Sequence, residues 1–170
     1  ISVDPLDENF AFMTRGVTFL GSGFDDSMVG GSGADSIAGG DGRDRLEGLD
    51  GNDTLDASGG DAGAQGSGDY VRPGLGANTI LGHQGLWDQG GGIVLSYGPI
   101  SGVGGLTIVS GPGGAGTTQS GDGRVNDTFT FVNYFEGSQD GDRITGGDSD
   151  RFEGFAALGG ADTIDGGGGS

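Results

Sequence analysis

The chain has 170 residues, of which 44 are glycine, and its 25 acidic and 7 basic residues give a formal net charge of −18. This glycine content excludes an ordinary helical domain, because each interior helical glycine costs about 1 kcal/mol relative to alanine. The negative charge disfavours nucleic acid as a partner, since its phosphates would be repelled. The absence of cysteine excludes a disulfide scaffold, and no apolar run approaches the roughly 18 residues of a membrane span.

Two interpretations of this composition remain. Only 32% of the residues are hydrophobic, and a glycine-rich, highly charged chain of this kind is typical of disorder. The same composition also suits a chain whose carboxylates are neutralised by bound cations. The order of the residues decides between the two.

Residues 1–19 contain no glycine repeat. Phe10, Phe12, Val17 and Phe19 are apolar and predict a cap or lead-in to the segment that follows. No basic start followed by an apolar stretch is present, so no secretory signal is expected here.

A nine-residue repeat follows, with complete units at 30–38, 39–47 and 48–56 and a looser unit that ends at residue 29. Glycine recurs at positions 1, 2 and 4. Position 6 is aspartate in all four units, namely Asp26, Asp35, Asp44 and Asp53. Position 8 is apolar, namely Met28, Ile37, Leu46 and Leu55. This pattern, G-G-x-G-x-D-x-U-x, predicts a parallel β-roll.

The chemistry of the unit indicates a metal. Positions 7 to 9 predict a short strand with position 8 inward, and positions 1 to 6 predict a turn in which glycine permits positive φ. Such a turn directs carbonyls and one carboxylate at a common point, which suits Ca²⁺ with six to eight oxygen ligands. Nitrogen and sulfur ligands are missing from these positions, which disfavours zinc and copper. A disordered linker would not need an aliphatic residue every nine positions.

Residues 21–56 resemble the RTX, or hemolysin-type, calcium-binding repeat of secreted bacterial proteins. The resemblance implies that two units make one turn of the roll, so that unit i stacks on unit i+2 and several calcium ions are bound. It implies that Asp26 shares a calcium with Asp44, and Asp35 with Asp53. Backbone carbonyls would complete the cages near Gly31, Gly33, Gly40 and Gly42.

The repeat phase is lost over residues 59–68, which predicts a loop or insertion. The pattern resumes with Asp69 at 69–72, and continues at 73–81, where Asn78 replaces the position-6 aspartate, so the first repeat block is predicted to span residues 20–81. The amide oxygen of Asn78 can coordinate calcium but carries no charge. A filled site and an empty site at this unit both remain open.

Residues 82–135 predict an irregular β segment that continues the solenoid. Longer alternating patterns at 93–97, 106–109 and 128–132 predict strands, and the first two are similar to strands that interrupt the repeats of RTX proteins. Residues 110–124 are glycine-rich without a repeat, and disorder is expected there. His83, Trp87 and Asp88 suggest either a carbohydrate-binding cleft or a loop in which Trp87 covers the core, and the loop is favoured.

A second, less regular repeat block is predicted at 136–165. Its D-x-U-x segments begin at Asp142, Asp150 and Asp162, and partial calcium sites are expected there. Residues 166–170 form a glycine-rich end or linker. The outward positions 7 and 9, taken along the chain, give no regular threonine row, which disfavours ice binding. The paired carboxylates are explained as calcium ligands, so no catalytic site is expected.

The sequence therefore predicts an all-β protein: a parallel β-roll, or β-solenoid, with an irregular β insertion between two repeat blocks. We expect a calcium-binding structural module of a larger secreted or cell-surface protein, not an enzyme, whose metal-free state is poorly folded. The resemblance implies type I secretion and folding outside the cell. A calcium-dependent adhesion, polysaccharide-binding or surface-layer module, and an accessory region of a secreted hydrolase, remain as alternatives. The expected partners are calcium and neighbouring domains, and possible ones are polysaccharide or a cell surface.

Overall fold

The structure, a computed structural model, describes residues 15–59, 68–85, 92–147 and 153–168. Fifteen strands account for most of its regular structure. Seven of them have three residues each and lie in the first part of the chain: β1 (Thr18–Leu20), β2 (Ser27–Val29), β3 (Ser36–Ala38), β4 (Arg45–Glu47), β5 (Thr54–Asp56), β6 (Tyr70–Arg72) and β7 (Thr79–Leu81). The others are β8 (Ile93–Ser96), β9 (Leu106–Ser110), β10 (Gly116–Ser120), β11 (Asn126–Thr130), β12 (Val132–Glu136), β13 (Arg143–Thr145), β14 (Gly154–Ala156) and β15 (Thr163–Asp165).

The strands form two sheets, which confirms the β-roll. Sheet A has the order β1-β3-β5-β7-β11-β10-β9-β13-β15, and sheet B has the order β14-β12-β8-β6-β4-β2. Successive repeat strands alternate between the sheets and pair in parallel two units apart, as in Ser27 with Arg45 and Ser36 with Thr54. One turn of the roll therefore contains two nine-residue units.

The insertion continues both sheets. In sheet A, β9, β10 and β11 form an antiparallel meander, with β11 parallel to β7 and β9 parallel to β13. In sheet B, β8 lies between β6 and β12. Two expectations for this segment are wrong. Residues 110–124 contain the ordered strand β10, and the pattern at 128–132 is divided between β11 and β12 by Phe131, whose φ is 55°.

The second block is described in part. Asp150 and the residues that follow it as far as 152 lie outside the described residues, and the next described strand is β14, Gly154–Ala156. Phe155 of this strand packs on the core and stacks on Phe135, with ring centroids 5.9 Å apart.

The core lies between the sheets. Each repeat strand from β2 to β7 contributes one buried apolar residue, namely Met28, Ile37, Leu46, Leu55, Val71 and Ile80. The segment 92–147 contributes more, including Ile93, Leu95, Tyr97, Leu106, Ile108, Phe129, Val132 and Phe135. Among the described residues no helix is long and apolar enough to cross a membrane.

The outer face of sheet A carries a row of hydroxyl side chains. Strand pairing aligns Thr18, Ser36, Thr54, Thr79, Thr128 and Thr117. The expectation that no threonine row exists is therefore wrong. It failed because successive units alternate between the sheets, so reading along the chain mixes two faces. Cross-strand threonine pairs stabilise a sheet, and this accounts for the row.

Candidate calcium-binding turns

The position-6 side chains stack into columns along the two edges of the roll. The sheet A column, which precedes the strands of sheet A, consists of Asp35, Asp53, Asn78 and Asp127. The sheet B column consists of Asp26, Asp44 and Asp69. A terminal pair, Asp142 and Asp162, precedes β13 and β15. The structure thus brings together the aspartates that the resemblance implies to be neighbours.

Apart from Asp26, each column side chain accepts a backbone N–H from the preceding turn of the roll on one of its oxygens. The backbone N–H of Asp26 donates to Oδ1 of Asp44 at 2.9 Å, and that of Asp44 donates to Oδ1 of Asp69 at 2.8 Å. In the sheet A column, Asp35 donates in the same way to Asp53 at 2.9 Å. These carboxylates therefore link successive turns of the roll by hydrogen bonds, which is a structural role independent of metal.

The second oxygen divides the turns into two classes. In the first class, the N–H at position 2 of the same turn donates to Oδ2 at 2.6 Å: Ser22 to Asp26, Gly31 to Asp35, and Ser138 to Asp142. Asp142 also accepts the Leu106 N–H and the Ser138 hydroxyl, each at 2.7 Å. These carboxylates are satisfied by the protein.

In the second class, Oδ2 has no donor. Oδ2 of Asp44 and Oδ2 of Asp53 are buried without a hydrogen-bond partner. Position 2 of these turns, Gly40 and Leu49, has positive φ of 92° and 75°. A buried carboxylate oxygen without a donor is costly unless a cation approaches it, so these two turns fit calcium.

Burial also changes the acidity of the column. Desolvation raises the pKa of Asp53 from 3.8 to about 6 and that of Asp69 to about 7, against the lowering effect of the backbone N–H bonds. The neighbouring carboxylates of the same column, Asp35 beside Asp53 and Asp44 beside Asp69, raise them further. The pKa of Asp44 is also raised, chiefly by burial. A divalent cation would relieve both the desolvation and the repulsion.

Glycine is required at position 1 for a reason that the sequence did not indicate. A Cβ at Gly30, Gly39 or Gly48 would overlap Oδ2 of the aspartate five residues later. The position-1 glycine therefore makes room for the carboxylate, and positive φ is not the cause at this position.

The four glycines predicted near the cages lie in these turns. The carbonyl of Gly31 accepts the Asp50 N–H at 3.2 Å, and the carbonyls of Gly33 and Gly40 abut the turns above them at Gly51 and Gly59. Gly42 has a φ of 126° and packs on the Phe24 backbone. No group of three or more acidic or histidine side chains converges among the described residues, so a calcium cage here needs backbone carbonyls.

The end of the sheet A column differs from the rest. Oδ1 of Asn78 accepts the Asp53 N–H at 2.8 Å, which leaves its buried Nδ2 as an unpaired donor. The next member, Asp127, is buried and was missed by the sequence analysis, although residues 127–130 fit D-x-U-x. Asp127 accepts the Asn78 N–H and the Tyr97 hydroxyl, both at 2.8 Å. Desolvation raises its pKa to about 7.

The terminal pair is joined by one hydrogen bond, from the Asp142 N–H to Oδ1 of Asp162 at 2.8 Å. Asp162 is partly exposed, whereas Asp142 is buried. This pair therefore has the same N–H to Oδ1 hydrogen bond between turns as the first block, but its second carboxylate, that of Asp162, is more exposed.

Two parallel sheets joined by glycine turns with buried carboxylates define a calcium-binding β-roll. The family model of the RTX calcium-binding nonapeptide repeat matches residues 20–55, 39–61 and 155–170, in four copies. The chain carries RTX repeats, and these repeats bind calcium. A comparison with curated proteins gives no match.

Proposed function

We propose that the chain is a calcium-dependent folding module of a larger secreted or cell-surface protein. The observation that carries the proposal is the pair of buried, unpartnered carboxylate oxygens on Asp44 and Asp53. Calcium at these turns would supply two positive charges in a chain of net charge −18 and would link adjacent turns of the roll.

The resident ions would be held in both columns by carboxylates and carbonyls. We assign the strongest sites to the turns of Asp44 and Asp53, with carbonyls near Gly40 and Gly42 as further ligands. Asp26, Asp35 and Asp142 would contribute more weakly, because the position-2 N–H already donates to Oδ2 of each. Asp69 and Asp162, which accept a backbone N–H on Oδ1, are further candidate ligands. Asn78 is the poorest candidate, since its free polar atom is a donor.

Folding outside the cell follows from the affinity expected of such sites. Extracellular calcium modules bind in the range of about 10⁻⁴–10⁻³ M, which external calcium fills and cytosolic calcium does not. The chain would then remain unfolded until export, in agreement with the type I secretion that the repeats imply.

Calcium titration followed by circular dichroism tests the proposal. We expect the β signal of strands β2 to β7 to appear at calcium concentrations near millimolar and to be lost with chelator, with Asp44→Asn and Asp53→Asn each shifting the midpoint upward. Asp165→Asn, at an exposed carboxylate, is the control and should leave the midpoint unchanged. A roll that keeps its full signal in chelator would contradict calcium-dependent folding, and a micromolar midpoint would contradict folding outside the cell.

The polysaccharide-binding alternative rests on three aromatic residues of the insertion, Trp87, Tyr97 and Tyr134. Tyr97 is fully buried and bound to Asp127, so it cannot stack on a sugar. Tyr134 is half-buried, and both Trp87 and Asp88 lie outside the described residues. The accessory-region alternative depends on sequence beyond this chain.

A further inference from the structure

A groove of ≈ 390 Å³ lies beside the turns that lead into sheet A. One wall is formed by these turns and includes Leu49 and Leu75, and the opposite wall is the loop containing Pro99 and Ile100. Four charged side chains also line it, the cationic Arg72 and Arg124 and the acidic Glu47 and Asp50. Glu47 and Arg124 already form ion pairs, with Arg45 and Asp122. Its volume is in the range of about 300–1,000 Å³ that small-molecule sites occupy.

Backbone hydrogen bonds hold both walls in place. The Ile100 N–H donates to the Tyr97 carbonyl at 2.8 Å, and the Ile100 carbonyl accepts the Gln139 N–H at 2.9 Å. On the opposite wall, the Leu75 N–H donates to the Leu49 carbonyl at 2.8 Å. The groove is therefore preformed, which reduces the entropy that a ligand would lose in ordering it.

Leu49 is the first unusual feature of the groove. It stands at position 2 of its unit with a φ of 75°, where the preceding unit has Gly40 and the following unit has Gly74, with φ of 92° and 89°. A residue with a Cβ is disfavoured in this conformation by about 1–2 kcal/mol. Glycine would make the same turn without strain, so what leucine adds is an aliphatic surface in the groove. Strain of this kind is concentrated at functional sites.

Arg72 is the second unusual feature. Of the two arginines that line the groove, Arg124 forms an ion pair with Asp122, whereas Arg72 has no carboxylate partner among the described residues. The Arg72 guanidinium stacks on the Tyr70 ring, 5.1 Å from the centroid, and its Nη2 donates to the Tyr70 hydroxyl at 3.3 Å, while its Nε is buried without a hydrogen-bond partner. The remaining donors of a guanidinium held flat in this way match a carboxylate in geometry and charge.

We propose that this groove binds a small carboxylate carried on an aliphatic body. The carboxylate would lie at Arg72, and the aliphatic part would pack on Leu49, Leu75 and Ile100. Saccharide sites commonly present aromatic rings to the sugar, and none of the described lining residues is aromatic. The aliphatic walls therefore favour the side chain of a peptide terminus or a fatty acid over a sugar ring.

Calorimetric titration of the calcium-loaded chain tests the ligand class. The probes are N-acetyl-L-leucine, octanoate, N-acetyl-L-leucinamide and galacturonate. We expect both aliphatic carboxylates to bind at least about tenfold more tightly than the amide, because the amide cannot form the charge-assisted hydrogen bond to Arg72. Tighter binding of N-acetyl-L-leucine supports a peptide terminus as the source, and tighter binding of octanoate supports a fatty acid. Equal binding of the amide, preference for galacturonate, or no binding of either carboxylate would overturn the proposal.

Two variants locate the ligand. Leu49→Gly keeps the turn conformation and removes the aliphatic wall, so we expect weaker binding of N-acetyl-L-leucine without a lower Tm. Leu158→Gly is the matched control, because Leu158 also has positive φ, 67°, and does not line the groove. Arg72→Gln should abolish the preference for the carboxylate over the amide. Equal effects of the two glycine variants would contradict the site.

Calcium stoichiometry is measured on the same samples. A sample that binds calcium normally but binds no carboxylate refutes the groove proposal alone. A sample that does not bind calcium would contradict the proposed function, because the turns that form one wall of the groove are also the proposed calcium-binding turns.

Discussion

The first repeat block and the insertion both contribute strands to the same two sheets, but they differ in strand length and in the side chains that they bury. In the block, strands β2 to β7 have three residues each and bury one apolar side chain apiece, while four aspartates of the columns are at most 3% exposed. In residues 92–147, strands have three to five residues and bury aromatic and aliphatic side chains on facing sheets. The comparison shows that apolar packing is sparse in the first block and extensive in the insertion.

Magnitudes indicate which part depends on calcium. Burying one aliphatic side chain contributes about 1.5–3 kcal/mol, whereas ordering the backbone of a nine-residue unit costs on the order of 10 kcal/mol. Hydrogen bonds alone do not close this gap, since each contributes about 1 kcal/mol net. In the insertion, Phe129 and Phe135 pack with ring centroids 5.2 Å apart, and Phe135 also stacks on Phe155. We therefore expect the insertion to be the part less dependent on metal.

Removal of calcium should produce the largest difference in amide protection between the first block and the insertion. In chelator, we expect amide hydrogens of β2 to β7 to exchange as in an unfolded chain, while amides of β9 to β12 keep protection. Hydrogen exchange read by mass spectrometry measures both in one sample. Loss of protection at the same rate in both regions would show that calcium holds the insertion as well.

Truncation of the insertion core should affect both regions. Phe135→Ala removes a fully buried ring between two other phenylalanines, and we expect it to lower the free energy of unfolding by about 3–5 kcal/mol with calcium present. Thermal unfolding measures the loss. Phe24→Ala, at a side chain that is 80% exposed, is the control and should change stability little.

The metal-free protein should respond to pH in a direction set by the columns. The pKa of Asp53 is raised to about 6 and that of Asp69 to about 7, from 3.8, so the folded state binds protons that the unfolded state has released. In chelator, the folded fraction of β2 to β7 is then largest below about pH 4 and falls as the pH rises to about 7, so that this block is unfolded at neutral pH. With calcium, the trend should reverse, because protons compete with the ion for the same oxygens. Melting curves at about pH 5 and pH 8, with and without calcium, distinguish the two signs.

The smallest effect is expected at the junction of the two regions. Tyr97→Phe leaves Oδ2 of the buried Asp127 without its donor, and we expect a loss of about 1–3 kcal/mol that is the same at all calcium concentrations. A loss that disappears with calcium would instead indicate that a metal binds at Asp127. Comparison with Asp53→Asn, whose effect should depend on calcium, separates a hydrogen-bond role from a metal-ligand role.

The sequence predicted the repeat block well because its signals are local. Asp35, Ile37 and their counterparts in the neighbouring units recur at a fixed spacing, so strand, inward residue and turn follow from the period alone. The insertion was predicted less well, since β10 in the 110–124 segment has no repeat, and Phe131 separates β11 from β12 with a positive φ of 55° that the alternating pattern does not indicate.

The sequence by itself determined the roll, the inward aliphatic residues and the aspartates that form the columns. Only the tertiary structure decided which carboxylates are left without donors, because Asp35 and Asp44 have the same glycine pattern and differ in the conformation at position 2. It also decided that Asp127 joins a column and that Arg72, without a carboxylate partner, lies beside Leu49 in the groove. These properties depend on contacts between residues 18 to 49 positions apart, which no local pattern specifies.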